Sequence, residues 1–180
     1  YGSFKQSKMY QNGVTCTNCH DPHTLKLKHE GNATCTQCHS AEQYDIRSHH
    51  QHLANSAGSQ CVNCHMPETT YMQVDDRRDH GWHKPNPSMA GQFGTPDTCL
   101  SCHQDKDSTW SGRLVEKWFA DQNNRDTEPF APIFALADGG YQDVSQQLSK
   151  IAQSSQYADI IRASALQRMA NYSGVNNVIA

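Results

Sequence analysis

Cys16-Thr17-Asn18-Cys19-His20 is the first of four copies of one pattern in this chain of 180 residues. The others are Cys35-Thr36-Gln37-Cys38-His39, Cys61-Val62-Asn63-Cys64-His65 and Cys99-Leu100-Ser101-Cys102-His103. Together they use all eight cysteines. C-x-x-C-H is the attachment signature of c-type haem. Two thiols three residues apart reach the two vinyl groups on one porphyrin edge as thioethers, and the adjacent histidine binds iron. A disulfide framework also wants an even count, but gives no reason for a histidine after each pair. Paired C-x-x-C could build zinc sites, and a thioredoxin-like reading lacks its βαβ context. With 11 histidines in 180 residues, four chance placements have odds of about 10⁻⁵. The expected cofactors are four covalently bound haem c groups, held by Cys16, Cys19, Cys35, Cys38, Cys61, Cys64, Cys99 and Cys102. His20, His39, His65 and His103 are their proximal iron ligands.

Seven histidines remain: His23, His29, His49, His50, His52, His80 and His83. Four would fill the sixth position of every iron. Six-coordinate haem moves electrons and leaves no open position for substrate, so the surplus favours electron transfer over catalysis. His23 follows a proline that stops the attachment turn. His29 precedes Cys35 closely. His80 sits beside Asp79. Of the cluster His49, His50 and His52, one is expected to bind iron, with His52 preferred. The distal set is therefore His23, His29, His52 and His80, with His83 in reserve. Which serves which iron stays open. Met9, Met66, Met72, Met89 and Met169 are read as packing residues.

The remaining composition supports an unusual interior. Hydrophobic residues make up 36% of the chain, below the roughly 45–50% of an ordinary domain. Residues 1–106 read as loops and short helices without long periodicity. The porphyrins are expected to be the core there, as disulfides are in other small domains, and neighbouring haems should touch. Residues 107–119 read as a helix capped by Asp107 or Ser108, with Trp110 and Trp118 either over the fourth haem or packed on the tail helices. Residues 120–128 are polar and read as a linker. Beyond them neither Cys nor His occurs. Three helices are expected there. The first starts near Pro129 and stops at Gly139-Gly140. The second carries a capping box from Asp143 to Gln146 and a stripe of Val144, Leu148, Ile151 and Ala152. The third spans about 157–171, with Ile160, Ile161, Ala165, Leu166 and Met169 as its apolar stripe. Short paired helices of this kind resemble HEAT-like repeats, and so short a stack should lean on the haem region or another subunit.

The fold class is thus mainly α with much loop and little or no sheet. Residues 1–119 form a tetrahaem cytochrome domain, and 120–180 a helical C-terminal region. A net charge of −3 argues against nucleic acid as a partner. No apolar run reaches the ~20 residues of a membrane span. Haem propionates would add about −8, so basic redox partners or extracellular mineral acceptors fit. The chain starts at Tyr1, so it reads as a processed product or a piece of one, with its targeting segment missing.

A series of further motifs carries a resemblance. Cys61-Val62-Asn63-Cys64-His65-Met66-Pro67, Tyr71-Met72, Asp76-Arg77-Arg78-Asp79-His80, Pro85-Asn86-Pro87 and Gly94-Thr95-Pro96-Asp97-Thr98-Cys99 occur in this order. With Cys19-His20-Asp21-Pro22-His23, they resemble the bacterial multihaem c-type cytochromes in which a haem-rich region precedes a helical-repeat tail. The resemblance covers about residues 16–118. It implies haem-to-haem electron transfer outside the cytoplasm, in the periplasm or beyond the cell, with bis-histidine irons and His23, His52 and His80 at ligand positions. Gly81-Trp82-His83-Lys84 departs from the pattern. Members often carry extra haems upstream and longer tails, so this chain would be a short relative or a fragment. A homo-oligomer or filament subunit is the alternative to a relay. A multihaem reductase is weaker, because the Cys-x-x-Cys-Lys variant is absent.

Overall fold

A computed structural model describes residues 1–120 and 130–172. The expected linker at 120–128 lies outside the described residues but for its first position. Two N-terminal helices, α1 (Gly2–Gln6) and α2 (Lys8–Gln11), lead into the motifs. Cys16–Cys19 forms α3, Ala33–Thr36 forms α4, and Cys61–His65 forms α7. Between the second and third motifs lie α5 (Ala41–Tyr44) and α6 (Arg47–His50). The fourth motif is a pair of turns. The same bond recurs in the first, second and fourth motifs: the histidine N–H donates to the carbonyl of the first cysteine, at 2.9, 3.0 and 2.9 Å. One helical turn therefore brings two thiols and an imidazole to one side.

The small sheet is an antiparallel hairpin, β1 (Glu68–Tyr71) with β2 (Asp75–Arg78), in register from Glu68 opposite Arg78 to Tyr71 opposite Asp75. Met72 and Gln73 both have positive φ, and the Val74 N–H donates to the Tyr71 carbonyl at 3.0 Å. That is the primed turn a twisted two-strand ribbon prefers. Arg78 anchors the hairpin on α7 through the Met66 carbonyl and Asn63 Oδ1, both 3.1 Å away. Helix α8 (Pro87–Phe93) packs on α9 (Ser108–Trp118). Asp107 caps α9, accepting from the Trp110 N–H at 2.8 Å.

The aliphatic core lies almost wholly in the C-terminal helices α10 (Ala131–Asp138), α11 (Ser145–Gln153) and α12 (Asp159–Met169). Val144, Leu148, Ile151, Ala152, Ile161, Ala165 and Met169 are buried together, the stripe the periodicity predicts. Leu166, expected on that stripe, is exposed. Gly140, at φ +77, turns the chain after α10. The expected capping box at Asp143 does not form. Asp143 lies inside a 3₁₀ turn, Gln142–Val144, and Val144 is the N-cap of α11 with no side-chain cap. Helix α1 packs on α12, and the buried Phe4 ring meets Trp82 edge-on at 5.7 Å. The two ends of the chain are thereby tied to the turn after His80. Among the described residues, no helix is long and apolar enough to cross a membrane.

Candidate haem sites

The thiols come first. All eight cysteines are free. Among the described residues, no three or more His, Cys, Asp or Glu converge as a zinc site would require. The pairs follow one another in space as in sequence. Cys35 and Cys61 share a hydrogen bond, which raises the Cys35 thiol and lowers Cys61 to about 7. Burial, then the Asp97 carboxylate, pushes Cys99 up to about 11. Asn32 joins the second and third sites. Its Nδ2 donates to Asp45 Oδ1 at 2.8 Å and to the Ser59 carbonyl at 2.9 Å, while its Oδ1 accepts the Cys61 N–H at 3.0 Å. Asp97 does the same for the fourth. It accepts the Cys99 N–H at 3.0 Å and the buried Ser111 hydroxyl of α9 at 2.6 Å.

The histidines form three facing pairs, each with one motif ring and one ring from elsewhere. His20 and His80 have ring centres 6.4 Å apart, with 29° between planes. His49 and His65 have ring centres 6.2 Å apart, with 17° between planes. His52 and His103 lie 6.2 Å apart. Two imidazoles bound to one metal at about 2.0 Å each have ring centres roughly 6.3 Å apart. The residues present therefore fit an iron between each pair.

Backbone carbonyls orient four of these six rings. His20 Nδ1 donates to the Leu25 carbonyl at 2.9 Å, and Leu25 holds a left-handed backbone to offer it. His65 Nδ1 donates to the His83 carbonyl at 3.1 Å, and His80 Nδ1 to the Arg78 carbonyl at 2.9 Å. His52 Nδ1 donates to the His50 carbonyl. A carbonyl only accepts, so the proton sits on Nδ1 and Nε2 keeps its lone pair for metal. Burial pushes the His49 and His65 imidazoles down from their ordinary value, which favours the neutral ring that binds metal. Aromatic rings flank the pairs: Trp82 against His80 at 5.4 Å, Phe119 against His49 at 6.1 Å, and Trp110 against His103 at 5.0 Å.

The other histidines are placed differently. His39 is exposed and meets Tyr44 edge-on at 5.9 Å; no imidazole faces it among the described residues. His23 and His29 are exposed on the loop after the first motif and face no motif histidine. His83 folds back on Gly81, where a Cβ would come within 2.2 Å of its Nε2, and lies 3.8 Å from Asp79. His49, outside the ligand set read from the sequence, faces a motif histidine alongside His52. The run His49-His50-Gln51-His52 carries the signal: two of its rings, rather than the one expected, face motif histidines.

Residues 8–44, which contain the first two motifs, match a family model described as a doubled CXXCH motif. No curated protein matches the chain. Among solved structures it is similar to the crystal structure of the outer cell wall cytochrome OcwA, at 20% identity and a TM-score of 0.44. The alignment covers 91% of this chain and 44% of that one, so the chain spans less than half of that protein's length.

Proposed function

We infer that this multihaem c-type cytochrome carries electrons through four covalent haems, as a relay outside the cytoplasm. The haem irons supply one-electron chemistry by cycling between ferric and ferrous states. The chain's own residues hold and space them. The observation that carries the reading is the set of three facing imidazole pairs at 6.2–6.4 Å. Such pairs would hold each iron from both sides and leave no open coordination position for substrate. The ligand pairs are His20 with His80, His65 with His49, and His103 with His52. Export follows from the cofactor chemistry, and redox proteins or extracellular acceptors are the partners.

The test is mass and spectrum together. The intact protein should carry four haem masses, and its oxidised form should be dominated by low-spin iron. A colourless product, or one with the mass of bare polypeptide or polypeptide plus zinc, overturns the reading.

The position of His39 favours a second reading. Its ring meets Tyr44 but faces no other imidazole among the described residues, while His23 and His29 stand exposed. An imidazole from a second copy could complete that site and join subunits into a filament with haems in line. Negative-stain microscopy separates filaments from discrete particles. Cyanide binding to one haem per native chain would instead point to an open site and a reductase.

A further inference from the structure

Two of the three non-motif rings come from one short segment. His49 faces His65, and His52 faces His103, each at 6.2 Å. In a continuous helix, residues three apart project to the same side. Here α6 ends at His50, and Gln51 adopts a left-handed backbone, φ 60° and ψ 12°. This turn swings His52 away from the face that carries His49. Non-glycine residues adopt such a backbone at a cost and keep it only where the surroundings impose it.

The residues around this turn serve it. His50 faces no motif histidine. Its Nδ1 accepts the His52 N–H at 3.2 Å, and its carbonyl accepts His52 Nδ1. Gly58 lies flat against the His52 ring, where a Cβ would come within 2.2 Å of Cδ2. On the other side, His49 sits between the edges of Tyr44, at 5.4 Å, and Phe119, at 6.1 Å.

We propose that His49 and His52 ligate the irons of two different haems, those attached at Cys61/Cys64 and at Cys99/Cys102, so that one four-residue bracket holds both. Gln51 turns the chain between the two ligands, and His50 and Gly58 are positioning residues for His52. The proposal rests on reading the motifs as haem sites. Its consequence is that the third and fourth haems share a support. A backbone change at Gln51 disturbs both, whereas loss of one ring disturbs one.

The experiment uses the haem-loaded protein, with haem content from intact mass and high-spin iron counted by electron paramagnetic resonance. His49→Ala and His52→Ala should each add one high-spin haem per chain to the wild-type count, and the double variant two. Added imidazole should return each to low spin. Gln51→Gly, which adopts the left-handed backbone freely, should keep every wild-type low-spin haem. Gln51→Val, which resists it, should convert two haems together. His50→Ala should raise the high-spin fraction only at the haem lost in His52→Ala. Haem-loaded single variants with no new high-spin iron overturn the bracket, as does a double variant that converts only one haem. A wild-type chain without haem masses overturns the haem reading itself, a result distinct from either.

Discussion

Residues 130–172 and residues 1–119 solve the problem of an interior in different ways. The C-terminal helices bury a contiguous aliphatic cluster, with Leu148 and Ala165 fully enclosed. The motif region buries few side chains, chiefly Phe4, Ser7, Ser59, Pro87 and Ser111. Three of its five leucines face outwards instead: Leu25 is 75% exposed, Leu27 52% and Leu53 66%. Exposed leucines beside paired imidazoles are surfaces shaped for flat apolar groups. One region is held by its own side chains; the other, as a haem domain, would be held by porphyrins bonded to it.

The largest test of this contrast removes the haems. With all eight cysteines replaced by alanine, amides of residues 16–103 should lose hydrogen-exchange protection, while those of 131–172 keep theirs. Simultaneous loss in both regions would break the contrast. Within the C-terminal helices, Leu148→Ala should cost about 2–5 kcal/mol, read as an earlier thermal transition with the haem absorbance unchanged. An altered haem spectrum would mean that the regions share a core. In the motif region, Asn32→Ala leaves the Cys61 N–H and the Ser59 carbonyl without their partner and should cost about 1–3 kcal/mol, seen in denaturant unfolding followed by haem absorbance. His80→Ala should leave global stability nearly unchanged and convert one haem from low to high spin. Unchanged spin states would remove His80 from the ligand set. The smallest effect belongs to the exposed Arg168–Asp138 pair, 2.8 Å apart. Asp138→Asn should cost under about 1 kcal/mol, and less at high salt.

The two regions also differ in what could be read in advance. The C-terminal helices were legible because amphipathic periodicity is a local property. Val144, Leu148, Ile151 and Ala152 mark their face whatever lies opposite. The capping box at Asp143 was misread because a 3₁₀ turn competes for the same residues, a choice made by how the chain leaves Gly140. The tie between α1 and α12 joins opposite ends of the chain, and no pattern in either helix announces it. The hairpin was nearly invisible: four residues a side are too few for alternation to show. Yet it is the hairpin, anchored by Arg78, that carries His80 to His20.

By itself, the sequence determined where porphyrin can be attached. Two thiols and an imidazole within five residues are a complete local instruction, repeated four times. Only the tertiary structure decided which second imidazole meets which motif histidine. A facing ring is set by distance and direction in space, and segments remote along the chain supply it. His23 and His29 lie nearer in sequence to a motif than His49 or His80 does to its partner, yet they face none. The folded backbone, through the turns at Leu25, Gln51 and Trp82, settles what composition leaves open.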